Sequence, residues 1–432
     1  MEVRDPVHGS IYIQDSEIPI IEHPYFQRLR SIKQLGFSEY VFPGATHTRY
    51  LHSIGVMEVS NRTFNRLFHD KLYDKEFLKL KETLRLGCLL HDIGHAPLSH
   101  TTEMAMPQVE ELKLPKPFDF KNEQASHEHY TLKTIVDSSL TDAFKSVKDQ
   151  FGVETLAIAE LIHGETTIPE YFTVGGVNYF PILHQLVSSE IDCDRMDYLL
   201  RDSYFCGVSY GHYDLDWLID NFKICEINGE ASLGITERAI STFDDFLISR
   251  FHMFMMVYFH YKAVCLEKML YNYFNEENEY SIPADIEKYR EHDDHHLTKV
   301  LRGSNNRWAK MVIANQIPEK IFESFGLEQL DKLNKIEECL KKNNVEYIKC
   351  SSLGRLSKYY SESDTPKEPH KYPIRVARKY PGNNMKKYPS IDEATNLYDK
   401  YSESHAVNRL HCEFNSLDKP LRDEITQLIQ NY

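Results

Sequence analysis

Apolar positions recur every three to four residues over long stretches of this chain, the period of a helix buried on one face. Residues 24–36 (PYFQRLRSIKQLG) open on Pro24, close on Gly36 and align Phe26, Leu29, Ile32 and Leu35, which predicts a first helix. Further amphipathic helices are expected over 48–68, 77–92, 126–148, 153–163, 180–202 and 239–274, with a looser stretch around the prolines at 107, 115 and 117. Strand-like alternation is rarer: around DPVHGSIYI in residues 1–20, over 172–179 (FTVGGVNY), and over 223–235, where Asn228-Gly229 predicts a turn. Past residue 275 the pattern changes. An acidic, histidine-rich run (EKYREHDDHH) leads to a helical stretch near 317–343, a Pro/Lys/Tyr-rich segment over 366–389 and a last helix near 417–430. The expected fold is mainly α, with a few short strands, in two parts: 1–275 and a smaller mixed α/β lobe over 276–432.

Composition narrows the function. Hydrophobic residues at 41% of the 432 suffice for a sizeable core, and a formal net charge of −15 repels phosphate backbones. Strong nucleic-acid binding is therefore not expected, and a phosphate-bearing ligand needs a local cationic pocket or a metal. The eight cysteines form no CxxC pair, and several lie in apolar runs, as Cys88 and Cys265 do. They read as reduced, buried thiols of a cytoplasmic protein, not as a disulfide frame or zinc knuckle. No apolar run approaches the ~18 residues of a membrane span. Residues 367–387 carry seven Lys/Arg and one acid, an island read first as a solvated loop and second as a phosphate-binding patch at a subunit interface.

Three His-Asp dipeptides occur. His69-Asp70 and His292-Asp293 lie in charged surroundings and read as solvated. His91-Asp92 instead ends an apolar run (LRLGCLLHD) and leads into IGHAPLSH. Polar groups at the end of a buried helix are costly unless paired or bound to metal, and imidazole with carboxylate suits a divalent transition ion. Gly94 is expected to let the chain turn, bringing His95 and His100 back to the same point.

The blocks DPVHG, FQRLRSIKQLGFSEYVFPGATHTRYLHSIGV, LLHDIGHAPLSH (89–100) and IDCDRMDYLLRD (191–202), in this order over roughly residues 3–265, resemble the HD-domain dNTP triphosphohydrolases, both animal and bacterial. The resemblance implies an HD-domain helical core whose divalent metal (Mn, Fe, Zn, Mg, Co or Ni) is held by His52, His91, Asp92 and Asp194. It implies hydrolysis of a deoxynucleoside triphosphate to deoxynucleoside and inorganic triphosphate, either dGTP-preferring or unselective. Arg49 falls at a phosphate position, where a planar guanidinium suits phosphate oxygens. His95, His100 and His127 match histidines near the α-phosphate, with His100 as proton donor to the leaving 5′-oxygen. Glu103, in place of an aspartate, would orient His100.

Asp194, Tyr198 and Asp202 are spaced as one helical stripe. The resemblance puts Arg195 on phosphate, Tyr198 under the deoxyribose and Asp202 on its 3′-hydroxyl. The neighbouring Asp197 and Arg201 read as solvent-facing salt-bridge partners. Gln34 and Leu35 fall near sugar and base. Arg250, Phe254, Tyr258 and Lys262 form a second stripe, of which Arg250 and Tyr258 match nucleotide-pocket positions. Gln27 and Arg30 match a nucleotide-activator site, with Glu22 replacing its aspartate, and the resemblance implies a homo-oligomer, dimer or tetramer. Two other readings stand beside this one: an HD phosphodiesterase or nucleotidase for another nucleotide, and a nucleotide-sensing assembly protein with a vestigial site.

Overall fold

Two long helices, Arg49–Leu67 and Lys75–Leu90, form the centre of the molecule and pack on each other. Asp74 starts the second by accepting the Glu76 amide at its N-terminus. The computed structural model describes residues 1–276, 280–326, 329–354, 372–378, 388–395 and 405–430, so much of the Pro/Lys/Tyr-rich segment and of the 367–387 cationic run lies outside the described residues. A third helix, Cys193–Cys206, runs from Asp192, whose carboxylate accepts the Arg195 amide at 2.8 Å, to a left-handed Gly207. It packs on Arg49–Leu67 at Gly55. A Cβ on Gly55 would lie 2.0 Å from Asp197 Oδ1 and 2.2 Å from Arg201 Nη2, so only glycine permits this approach.

The helical regions are as expected, but several are interrupted. The first helix ends at Arg28, continues as a 3-10 turn to Ser31, and becomes extended at Ile32 (φ −121°, ψ 115°); Gly36, at φ +50°, begins another 3-10 turn instead of closing the helix. The 126–148 stretch is a helix over His127–Val136, a 3-10 segment over Ser139–Phe144 and a helix over Lys145–Phe151. The 180–202 run divides into Phe180–Val187 and Cys193–Cys206, because the Asp192 carboxylate takes the Ser189 and Arg195 amides and starts a new helix. Helix Ile240–Met253 passes through a π turn at Phe254–Tyr258 before helix Tyr261–Glu276. The 317–343 stretch is not helical throughout: Glu319–Phe325 is a strand and only Leu330–Lys342 a helix.

Among the described residues the short strands form three sheets. Glu2–Asp5 pairs with Gly9–Tyr12. Thr173–Val174, Val177–Asn178, Glu230–Thr236 and Phe222–Ile227 make a second sheet, joined by Arg375–Ala377, and its tight turn carries Asn228 and Gly229 at positive φ. Strand His405–Cys412 lies antiparallel between Glu319–Phe325 and Tyr347–Gly354. Helices Leu330–Lys342 and Lys419–Gln430 complete this last unit around Phe322, Ile336, Leu340, Leu410 and Ile425.

Packing does not change at residue 275. Tyr280, Tyr289, Leu297, Trp308 and Val312 belong to the same core cluster as Ile54, Leu86 and Leu90, and the separate C-terminal cluster begins at Phe322. The buried Asp294 carboxylate accepts the Lys33 and Leu98 amides at 2.9 and 2.8 Å, holding the loop that carries His95 and His100. Deep in the core, Glu17 binds Arg85 at 2.8 Å. Burial, with Glu17 alongside, pushes the neighbouring Glu82 carboxyl up to about 8. Among the described residues no helix is long and apolar enough to cross a membrane.

Candidate metal centre and adjoining pocket

Three helix termini meet at one point. His52 lies in the first turn of Arg49–Leu67, His91 caps the C-terminus of Lys75–Leu90, and Asp194 is the second residue of Cys193–Cys206. Asp194 Oδ1 is 2.9 Å from His52 Nε2 and 3.7 Å from His91 Nε2. His91 Nδ1 donates to the Cys88 carbonyl at 2.8 Å, and His52 Nδ1 donates to Asp197 Oδ2 at 2.8 Å. Those bonds occupy both Nδ1 atoms and turn both Nε2 atoms toward Asp194. Neither buried Nε2 has an aligned hydrogen bond. Burial lowers both imidazole pKa values, but the neighbouring carboxylates outweigh it: Asp194 and Asp197 raise His52 to about 9, and Asp92 and Asp194 raise His91 to about 10. A site that attracts protons so strongly into a buried position attracts a cation for the same reason, and this donor set fits a divalent transition ion.

Asp92 stands beside this trio. Its Oδ2 takes Arg49 Nη1, while its Oδ1 is 3.3 Å from His91 Nε2 and 3.2 Å from His95 Nε2. Asp92 therefore joins the metal-type group to a second one. The rings of His95, His100 and His127 lie within 4.9 Å of one another, His95 stacked on His127 at 3.9 Å. Glu103 Oε1 accepts from Nδ1 of both His100 (3.1 Å) and His127, and these bonds outweigh burial and hold its carboxyl well below the usual range. His95 is buried, whereas His100 is exposed. Gly94 keeps an ordinary φ, so the turn does not require it. Its role is close approach, since a Cβ there would lie 2.2 Å from the His127 carbonyl and the Thr131 amide.

The reading of Asp197 and Arg201 as solvent-facing is corrected. Both are fully buried. Asp197 receives His52 Nδ1, His8 Nε2 at 2.6 Å and the Arg201 guanidinium at 2.8 and 2.9 Å; Arg201 continues to Asp5 at 2.8 Å, and Asp5 accepts the His8 amide. The DPVHG block thus braces His52 from behind. Asp5, His8 and His47 were missed as site residues because their side-chain partners are distant in sequence, and Asp197 because it looks like one charge of an ordinary helix face. Of the other dipeptides, His69 and Asp70 are exposed, while Asp293 caps the Asp294–Gly303 helix through the His296 amide at 2.8 Å.

A cavity of about 540 Å³ adjoins this centre, lined by Gln34, Leu35, Arg49, His100 and Tyr258 together with the unanticipated Lys268. Arg49 also donates to Ser99 Oγ at 2.9 and 3.1 Å. The Asp194/Tyr198/Asp202 stripe is intact on its continuous helix. Asp202 takes the Tyr258 hydroxyl at 2.7 Å and is paired with His47 at 2.8 Å, and the Tyr198 and Tyr258 rings are 6.3 Å apart. The second stripe keeps Arg250, Phe254 and Tyr258 in contact through the π turn: the Arg250 guanidinium lies 5.3 Å over the Phe254 ring, and the Phe254 and Tyr258 rings are 5.1 Å apart. Arg250 turns to Glu190 at 3.5 Å. Arg195 is buried, binds the Ser189 carbonyl and lies 3.6 Å from Glu190. Gln27 and Arg30 form an exposed pair at 2.7 Å, the Arg30 guanidinium lying 3.5 Å over the Tyr50 ring.

Comparison with known proteins agrees with this geometry. Residues 49–200 match the HD domain and residues 213–343 match the HD associated region. An uncharacterised Mycoplasma pneumoniae protein is 32% identical over 62% of this chain and 58% of its own length. The human deoxynucleoside triphosphate triphosphohydrolase SAMHD1 is 27% identical over 64% of this chain and 45% of its own length. The chain thus spans under two thirds of these relatives. A solved Aquifex aeolicus protein described as hypothetical shares the fold with a TM-score of 0.73 at 24% identity, over 98% of this chain and 99% of its own. An HD domain followed by its associated region, with the metal-type histidines and aspartate at three helix ends inside the first match, places this chain in the HD-domain superfamily.

Proposed function

We propose that the chain is a metal-dependent phosphohydrolase that cleaves deoxynucleoside triphosphates to deoxynucleoside and inorganic triphosphate. The observation that carries this reading is the bridge made by Asp92, which links the His52/His91/Asp194 group to the His95/His100/His127/Glu103 cluster beside the 540 Å³ cavity. His52, His91 and Asp194, with Asp92 adjoining, would hold the divalent ion. Such an ion, when bound, supplies Lewis-acid polarisation and an activated water near neutral pH. Arg49 presents its guanidinium fork to phosphate oxygens at the cavity wall. His100 is tied to Glu103 through Nδ1, which leaves the far side of its exposed ring to give a proton to the leaving 5′-oxygen. Asp202, fixed by His47 and Tyr258, accepts the sugar 3′-hydroxyl, and Tyr198 packs under C2′, where a ribose hydroxyl would clash. The similarity to SAMHD1, named as a deoxynucleoside triphosphate triphosphohydrolase, supports the substrate class. A homo-oligomer with a nucleotide activator near Gln27 and Arg30 belongs to the same reading, as does a cytoplasmic location.

The test is product analysis. Purified protein with Mn²⁺ or Mg²⁺ is incubated with each dNTP and with GTP, singly and mixed, and the products are resolved by anion exchange. Deoxynucleoside plus triphosphate is expected, with GTP uncleaved; turnover only in mixtures containing dGTP would support the activator. Monophosphate with pyrophosphate would overturn the leaving group and favour an HD nucleotidase. Failure to turn over any nucleotide while carrying metal would favour a sensor.

A further inference from the structure

Away from the His/Asp centre, three more potential metal ligands converge. Cys265, Cys350 and His411 each offer one ligand atom, and these atoms lie within 4.8 Å of one another. They come from three separate elements: helix Tyr261–Glu276, strand Tyr347–Gly354 and strand His405–Cys412. Cys265 and His411 are 0% exposed and Cys350 is 2% exposed. Both cysteines are free thiols, and Cys350 and His411 lie beyond the matched HD associated region.

The histidine gives the independent signal. Its Nδ1 donates to the Pro318 carbonyl at 3.1 Å, while its buried Nε2 has no hydrogen-bond partner among the described residues. A buried polar atom left unpaired is costly, so it calls for a partner.

We propose that Cys265, Cys350 and His411 form a second metal site, for a thiophilic d10 cation such as Zn²⁺ or Cu⁺. Two sulfurs and one imidazole nitrogen suit soft and borderline ions and disfavour Mg²⁺. Cys350 and Lys268 both line the cavity. An ion here would pin the cavity-wall helix to the C-terminal sheet, and the cavity could supply water as a fourth ligand.

Cobalt(II) is the probe. Full-length protein, reduced and stripped of metal, is titrated with Co²⁺ and followed for the near-ultraviolet thiolate-to-cobalt charge-transfer band. The His/Asp centre has no sulfur and cannot produce that band. Expected results are a saturable band near one equivalent, its loss in Cys265→Ser and Cys350→Ser, its persistence in Asp194→Ala, and at least tenfold weaker binding in His411→Ala. Should the serine variants misfold, His411→Ala, which keeps both thiols, decides the matter. Absence of a band in reduced wild type, or a band unchanged in His411→Ala or in either serine variant, overturns the site.

Discussion

At the scale of single residues, the candidate centre depends on which nitrogen each histidine shows to it. His52 and His91 both spend Nδ1 on an acceptor outside the centre, so both present Nε2. Partners of this kind contribute roughly 10–100-fold to metal affinity. Asp197→Asn is therefore expected to weaken Mn²⁺ binding by about that factor in a metal titration; unchanged affinity would contradict the bracing role. The same imidazoles are raised to about 9 and 10 by their carboxylate neighbours, so before metal binds they carry protons across neutral pH. Metal must displace those protons, and affinity should fall as pH falls below about 9. Calorimetry in buffers of different ionisation heat would show proton release on binding, and heats independent of buffer would argue against it. These residues differ in how legible they are. His52, His91, Asp92 and Asp194 fall within recognisable blocks. Asp197 and Arg201 follow Asp194 by three and seven residues and look like an ordinary charged helix face, because the partners that bury them, Asp5 and His8, lie almost two hundred residues away.

At the scale of elements, hydrophobic periodicity located the helical regions but not their breaks. Ser188–Asp192 interrupts the expected 180–202 helix, where the Asp192 carboxylate takes the Ser189 and Arg195 amides and starts a new one. The π turn at Phe254–Tyr258 widens the helix without disturbing the run of Met and Phe, so the apolar period does not reveal it. Gly55 and Gly94 show the same limit: neither needs a glycine conformation, and both need the missing Cβ for contacts with distant parts of the chain. Gly55→Ala should force apart the helices carrying His52 and Asp194. We expect a loss of about 1–3 kcal/mol in urea unfolding, the range for overpacked cores, together with weakened metal binding. A variant as stable as wild type would show that this helix contact is not tight.

At the scale of the whole molecule, stability against pH rests partly on Glu82, far from the cavity. Its carboxyl titrates at about 8 in the fold against an ordinary 4.5, so folding favours the protonated form. That contribution is fully present below pH 4.5 and is lost as pH rises through about 8. Glu82→Gln, neutral at every pH, should match wild type in Tm near pH 4.5 and exceed it above pH 8; parallel Tm profiles would contradict this. The molecule's division was also only partly legible. Residues 280–312 change in composition, which suggested a boundary, yet their apolar side chains complete the core around the catalytic-type helices, and Asp294 steadies the His95–His100 loop.

The central claim is that the His52/His91/Asp194 group holds a divalent ion on which phosphate-ester hydrolysis depends. Its most direct test is to measure bound Mn²⁺ and dGTP turnover on the same preparations of wild type and Asp194→Ala, with folding checked by circular dichroism. A folded variant is expected in which Mn²⁺ binding at this centre and turnover are lost together. A folded Asp194→Ala protein that still hydrolyses dGTP would contradict it.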